Sequence, residues 1–497
     1  MGEGEPIEAD LLIAGATLVT MDAKRRVIAD GAIAIRGDRI AAIGKRADLE
    51  REVRARERLD ARRFVASPGF VDAHIHITGD PLTRGFPRGA EGESWGERLA
   101  RWVIPLFRSQ TPDDEAIAAQ CAALAMIRYG TTFFLEAGTV THLDAVMAAL
   151  ETTGIRGRVG EWVEGRARDP AEQAGASAKA IAVLESEVER YPERAGDRLA
   201  AWPVLVGHST NPDDVWLAAK ALADQHGICV SAHMSPRASD PEWFLATYGR
   251  RPLEHLADIG ALGERVALTH LAEIDESELS LLAGSGAKAI HCPHAAFQGG
   301  FGLSQGGRFP EMLDRGVEVM LGTDGVAADI LSSSRLMASV FRDARRDQDL
   351  FPPATILELA TFAGARGLGL ERQIGSLEVG KKADIVLHDT ELPEWGPVFD
   401  PALQLAISAP PGGVDTVFID GVKVLDGGRS TRLDEAKLIA DARQAGAALV
   451  ARTGLPLRTT WPVQRASTGP TRRLHAPPTR RSRRPTGARR WATSRPG

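Results

Sequence analysis

Short apolar runs divided by glycine and acidic turns open the chain, at residues 11–20, 31–36 and 39–44, with Gly37-Asp38 marking one turn. Runs of this length bounded by turn formers predict β-strands in a small antiparallel sheet. The same material returns near the other end at residues 383–387 and 416–424. The two sets are expected to pair into one small β domain built from both ends, flanking whatever lies between.

Between them the pattern changes. Apolar runs at residues 131–137, 156–163, 201–207, 228–233, 266–270, 288–292 and 317–323 follow a first run that ends in Ala73-His74-Ile75-His76. Amphipathic helical segments precede several of these runs. Thr111-Pro112-Asp113-Asp114-Glu115 reads as a helix start, with a Thr cap, Pro in the first turn and acids behind it, and Asn211-Pro212-Asp213-Asp214 repeats the logic. Strands alternating with helices imply parallel βαβ units. Eight such strands in roughly 250 residues fit a (β/α)8 TIM barrel, an α/β fold, with a doubly wound sheet as the alternative.

Composition narrows the class. The chain has 497 residues, 43% hydrophobic and 25% charged, ordinary for a soluble globular protein. Three cysteines, Cys121, Cys229 and Cys292, lie far apart, an odd and sparse set that makes no disulfide framework and no CxxC zinc site, so a reducing, cytoplasmic setting is expected. No secretory signal and no membrane-length apolar run is visible. The net charge of −6 is uneven, because residues 462–497 hold ten arginines and no acids, leaving −16 for the rest. That Arg- and Pro-rich tail has little to bury and is expected to be disordered. With no nucleic-acid fold beside it, a nucleic-acid partner is not expected; a small molecule is.

Candidate chemistry gathers at strand ends. On a strand, residues i and i+2 share a face, so His74 and His76 point the same way. His233 ends the fifth run, His270 the sixth and Asp324 the eighth. In a parallel barrel all strands open their C-terminal ends on one face, so residues 250 positions apart would converge. Three imidazoles and a carboxylate suit one divalent metal ion, Zn foremost, with Fe or Co as alternatives and one coordination position left for water. Such an ion lowers the pKa of its water from about 15.7 toward about 7. Glu136, at the end of the second strand, is a candidate acid or base; Glu161 and Glu164 are weaker ones. His208 and His294 are candidate substrate contacts, as are Arg84, Arg88 and Trp95 in the Gly- and Pro-rich segment 79–100, which is placed as a lid. His142, His226, His255 and His388 are read as structural.

Together PGFVDAHIH, the strand-five and strand-six histidines, LGTDG and the LEVGKKADIV segment (377–386) resemble the amidohydrolase superfamily, in the branch of cytosine, guanine and adenosylhomocysteine deaminases and triazine hydrolases. The resemblance covers roughly residues 10–430. It implies a β-sandwich domain from residues 1–65 and 377–430, a metal-dependent barrel over 66–376 and a homodimer; a C-terminal helix over 431–461 and the tail complete the chain. It also implies that His74, His76, His233 and Asp324 ligate the metal and that His270 contacts the attacking water or the substrate. Two departures matter. The strand-four end reads Val206-Gly207-His208, without the bridging lysine of two-metal members, so a single metal is expected. Where the deaminases place a glutamate three residues after the strand-five histidine, this chain has Pro236, which neither gives nor takes a proton. The expected reaction is therefore hydrolysis of an amide, urea or carbamate-like C–N bond, with deamination or dechlorination of an N-heteroaromatic ring as the alternative.

Overall fold

The computed structural model describes residues 5–87, 89–194, 197–207 and 209–463. The described residues up to Leu455 form one compact unit, and those beyond it, 456–463, carry no helix or strand. The arginine-rich tail, apart from 462 and 463, lies outside the described residues, as do His208 and Arg88.

The parallel strands are β1 (Phe70–Ile75), β2 (Thr131–Glu136), β3 (Arg156–Val159), β4 (Leu199–Ala201 with Val204–Gly207), β5 (Val230–Met234), β6 (Val266–His270), β7 (Lys288–His291) and β8 (Val319–Leu321). Their ladders run in chain order, β1 through the first half of β4 and the second half of β4 through β8. Sequence patterning placed the fourth strand in one piece. Instead Pro203, which has no N–H to donate, interrupts it after Trp202. The third and eighth strands are also shorter than their apolar runs. The circle closes through a hydrogen bond from the Asp324 N–H to the His74 carbonyl (2.9 Å). All six residues of β2 are buried, as expected for a parallel strand covered on both faces.

Helix Pro112–Arg128 begins as anticipated: Thr111 and Asp114 form a reciprocal capping box, and acids fill the first turn. The second expected cap does not form. Helix Asp213–His226 starts without a side-chain cap, because the Asn211 carboxamide oxygen accepts the Gly165 N–H instead.

Strands from the two ends do pair. Residues 64–68 lie antiparallel to 385–389, inside a nine-stranded sheet. The sheet is mixed rather than antiparallel, because Ile7–Val19 runs parallel to both Val53–Asp60 and Phe64–Pro68. Val53–Asp60 (VRARERLD) is too charged and exposed for hydrophobic patterning to mark it as a strand. Beneath the barrel, Arg156 is buried and binds Asp384 through two nitrogens (3.2 and 3.3 Å); Lys382 is buried against Asp38 (2.5 Å) and Asp420 (3.1 Å). The Arg156 pair ties the barrel to the sheet, and the Lys382 pairs join turns within the sheet. The C-terminal helix spans Glu435–Thr453, shorter than its expected range.

Candidate metal centre

Two backbone features bring the donors together. A Cβ on Gly322 would lie 2.6 Å from His74 Cβ and 2.8 Å from its carbonyl oxygen. One on Gly207 would lie 2.1 Å from the His233 carbonyl oxygen, and Gly207 also has φ +86°. Only glycine allows these close approaches, which set β8 against β1 and β4 against β5. His270 (φ 84°) and Asp324 (φ 57°) occupy the left-handed region that non-glycine residues seldom adopt. Strain of that kind is held where the surrounding structure over-determines it, characteristically at functional sites.

The predicted residues converge. One ligand atom each from His74, His233, His270 and Asp324 lie within 4.8 Å of one another. His76 joins them, its Nε2 lying 3.0 Å from Asp324 Oδ1 and 3.4 Å from His233 Nε2. His74 Nε2 is buried with no hydrogen-bond partner, 3.4 Å from Asp324 Oδ1. A buried imidazole nitrogen left unsatisfied beside a carboxylate and further imidazoles is what a divalent cation would complete, so the donor set fits the ion. Burial holds the His74 imidazole below its ordinary pKa, in the neutral form that ligation requires. For Asp324, burial alone would raise the pKa, but the adjacent imidazoles of His74 and His76 and the charge of His270 outweigh it, leaving the carboxylate well below its usual range.

An outer layer of polar groups orients these candidate ligands, and sequence reasoning did not single it out. Thr269 Oγ1, on β6, lies 3.0 Å from His74 Nδ1, which fixes the ring with Nε2 facing inward. Thr139 Oγ1 lies 3.2 Å from His76 Nδ1. Asp72 is wholly buried and accepts the His74 N–H (3.2 Å), the Thr323 N–H (3.1 Å) and the Thr323 hydroxyl (2.6 Å), pinning β1 to the segment that carries Asp324. Burial pushes the Asp72 carboxyl up to about 7 despite those donors. Two signals were available for this layer, each a polar residue in an otherwise apolar strand: Asp72 two positions before His74 and Thr269 one before His270.

The remaining candidates are dispersed. Glu136 is wholly buried; its Oε1 accepts the Thr139 hydroxyl (2.8 Å) and N–H (3.0 Å) and its Oε2 the Gly138 N–H (2.5 Å). It stands behind Thr139 and hence behind His76. Glu161 pairs with Arg190 (2.9 Å) and Glu164 with Arg108 (2.5 Å). His294 Nε2 lies 3.4 Å from the Ser332 hydroxyl. Arg84 is exposed at the end of helix Asp80–Thr83. His142, His255 and His388 are held by the Gln110 carbonyl, Asp213 and Ser67 respectively.

Two aromatic walls flank the centre. The Phe107 ring stands edge-on to His76, 6.0 Å between centroids, and packs on Trp162 at 6.1 Å. On the other side Phe301 stands edge-on to His270 at 5.4 Å. Segment 79–100, placed as a lid by sequence, includes the short helices Asp80–Thr83 and Trp95–Arg98, the second closed by a Ser94–Glu97 capping box.

Imidazoles and a carboxylate converging at the C-terminal mouth of a parallel barrel define a metal-dependent hydrolase. Comparison with known proteins agrees. Residues 65–424 match the Amidohydrolase family profile, and the chain belongs to that family. It is 31% identical over 422 residues (84% of this chain, 93% of the relative) to a 5-methylthioadenosine/S-adenosylhomocysteine deaminase of Syntrophobacter fumaroxidans. A protein of the same name from Symbiobacterium thermophilum is 31% identical over 451 residues, 88% of this chain and 99% of that one. Among solved structures, a zinc-bound adenosine deaminase from Xanthomonas campestris superposes with a TM-score of 0.79 at 26% identity, covering 90% of this chain and all of that one. The zinc complex of atrazine chlorohydrolase TrzN from Arthrobacter aurescens TC1 shares the fold, with a TM-score of 0.77, 22% identity and coverage of 88% and 100%. The chain is thus a hydrolase of carbon–nitrogen bonds other than peptide bonds.

Proposed function

We propose that this protein is a mononuclear, zinc-dependent aminohydrolase that removes an exocyclic amino group from an N-heteroaromatic ring of the purine type. The observation that carries the hydrolytic part is the convergence of His74, His76, His233 and Asp324 around the unsatisfied His74 Nε2. The substrate class rests on the names of the relatives, and it reverses the preference drawn from Pro236 alone.

In this reading those four residues hold the ion. When bound, the ion supplies the Lewis acidity that makes water nucleophilic at neutral pH. His270, held in strained backbone geometry beside the cluster, orients the water or the electrophilic carbon's substituent. Asp324 accepts the water proton at its carboxylate and returns it to the departing amine. Glu136, with both oxygens occupied, acts as a positioning group through Thr139 on His76. His294 and Trp95 line the substrate side.

Pro236 favours a second reading, an acyclic amide or urea substrate, because no acid stands there to protonate a ring nitrogen. A panel separates the two. Zinc-loaded protein is expected to hold about one equivalent of metal and to release ammonia from 5′-methylthioadenosine or S-adenosylhomocysteine. Turnover of ureas or amides alone would establish the second reading, and full activity without metal would overturn both.

The three cysteines are free, which supports a cytoplasmic setting. No helix among the described residues is long and apolar enough to cross a membrane. A homodimer belongs to the same reading, supported by the exposed apolar group Val398, Phe399, Leu403 and Ile407. So do a β-sandwich form for the nine-stranded sheet and domain limits near residues 65, 376 and 430.

A further inference from the structure

Four residues after His233, on the loop leaving β5, Arg237 is held between two aromatic rings. Its guanidinium carbon lies 4.6 Å from the Phe301 ring centroid and 4.8 Å from that of Trp95. Phe301 is the same ring that stands edge-on to His270, so steps of 5.4 and 4.6 Å put the guanidinium within about 10 Å of the His270 ring. Trp95, exposed on its outer side, covers the arginine from segment 79–100. The planar cation is thereby fixed in orientation.

Its charge is poorly offset. One terminal nitrogen donates to the Gly299 carbonyl, while Nε is buried with no hydrogen-bond partner. Among the described residues no carboxylate lies within ion-pair distance of Arg237. Arg98, a cation in its electrostatic surroundings, donates to the carbonyls of Ala90 and Glu93 and has no ion pair among the described residues. Among the described residues Asp240 offsets part of the Arg237 charge, and it accepts the Ser235 N–H at 3.1 Å. Burial and Arg98 together draw the Arg237 pKa down. A stacked, partly desolvated guanidinium without an ion pair among the described residues, at the rim of a reaction centre, is a receptor for a planar or tetrahedral oxyanion.

We infer that Arg237, clamped by Trp95 and Phe301, is a specificity-determining residue that binds a carboxylate or phosphate borne by the substrate away from its scissile bond. The inference rests on the aminohydrolase reading for its choice of probes. It turns on Arg237, which sequence patterning passed over, and gives Trp95 a role in holding it.

The test compares matched pairs: adenosine 5′-carboxylate with its 5′-carboxamide, and adenosine 5′-phosphate with adenosine. For each pair the kcat/KM of the anion is divided by that of its neutral partner. In R237M, which keeps an unbranched apolar stem and removes the guanidinium, that ratio is expected to fall about tenfold or more for the pair matching the native anion. The pair affected tells carboxylate from phosphate. An unchanged ratio in both pairs overturns the inference, since a purely structural role would lower both members alike. Should R237M not fold, R237K, which keeps the charge but loses the fork and the stacking, is expected to give a smaller fall in the same ratio. If no nucleoside is turned over, the aminohydrolase reading fails, and calorimetric titration with phosphate and acetate at equal zinc loading decides the inference alone. About tenfold weaker binding of one anion to R237M supports it; equal binding to both proteins, or none to either, overturns it.

Discussion

The hydrogen bond between Thr269 and His74 offers a direct measure of how far the outer polar layer makes the metal site. Thr269→Val keeps the shape of the side chain and removes only the oxygen 3.0 Å from His74 Nδ1. Both residues are buried, Thr269 at 0% and His74 at 1% exposure, so water cannot take its place. With a cation on Nε2, the ring proton must sit on Nδ1, and in the variant that N–H has no acceptor. A buried unpaired donor costs about 1–3 kcal/mol, equivalent to roughly 5- to 150-fold in a binding constant. The metal-free protein escapes the cost, because its imidazole can carry the proton on Nε2, toward Asp324 Oδ1 at 3.4 Å. The loss therefore falls on metal affinity rather than on folding. Competition against a chelator of known zinc affinity reads it directly, and a tenfold to hundredfold weaker Kd is expected. Thr139→Val, acting on the more exposed His76, is expected to lose less. Thr361→Val, whose hydroxyl bonds the Leu357 carbonyl within its own helix region, serves as control. Wild-type zinc affinity in Thr269→Val, within twofold, would refute the assignment of this hydroxyl to the metal site.

Two further predictions concern stability. Burial, with the charge of Arg335 adding to it, lowers His388 to about 3, whereas an unfolded chain titrates near 6.5. Above pH 6.5 neither state is charged and the group has no effect. As pH falls from 6.5 toward 3, only the unfolded state gains the proton, so stability drops by about 1.4 kcal/mol per pH unit from this residue. His388→Gln is expected to flatten the pH dependence of urea unfolding in that window, and an unaltered slope would count against it. Asp384→Ala would leave Arg156 buried with Asp420 as its remaining carboxylate and is expected to cost about 3–5 kcal/mol. In a double-mutant cycle with Arg156→Met the two losses should be strongly non-additive; simple additivity would mean the pair contributes nothing as a pair.

Much of the centre was legible in the chain because its candidate ligands obey simple spacing. His74 and His76 share a strand face by period two, and His233, His270 and Asp324 each follow an apolar run, so a parallel barrel alone suffices to bring them to one mouth. Membership in the family was legible for the same reason, as its motifs lie at those strand ends. The outer layer was not, because Thr269 and Asp72 act across a strand gap, on partners 195 and 251 residues away, and nothing local marks such pairs. The break in β4 at Pro203 and the charged strand Val53–Asp60 were likewise hidden, since hydrophobic patterning reports burial and neither feature depends on it. Which loop side chains meet above the barrel was decided only by tertiary packing. Arg237 and Trp95 are 142 positions apart, and only the folded chain, setting both beside Phe301, turns an ordinary loop arginine into an oriented, partly desolvated cation next to His270.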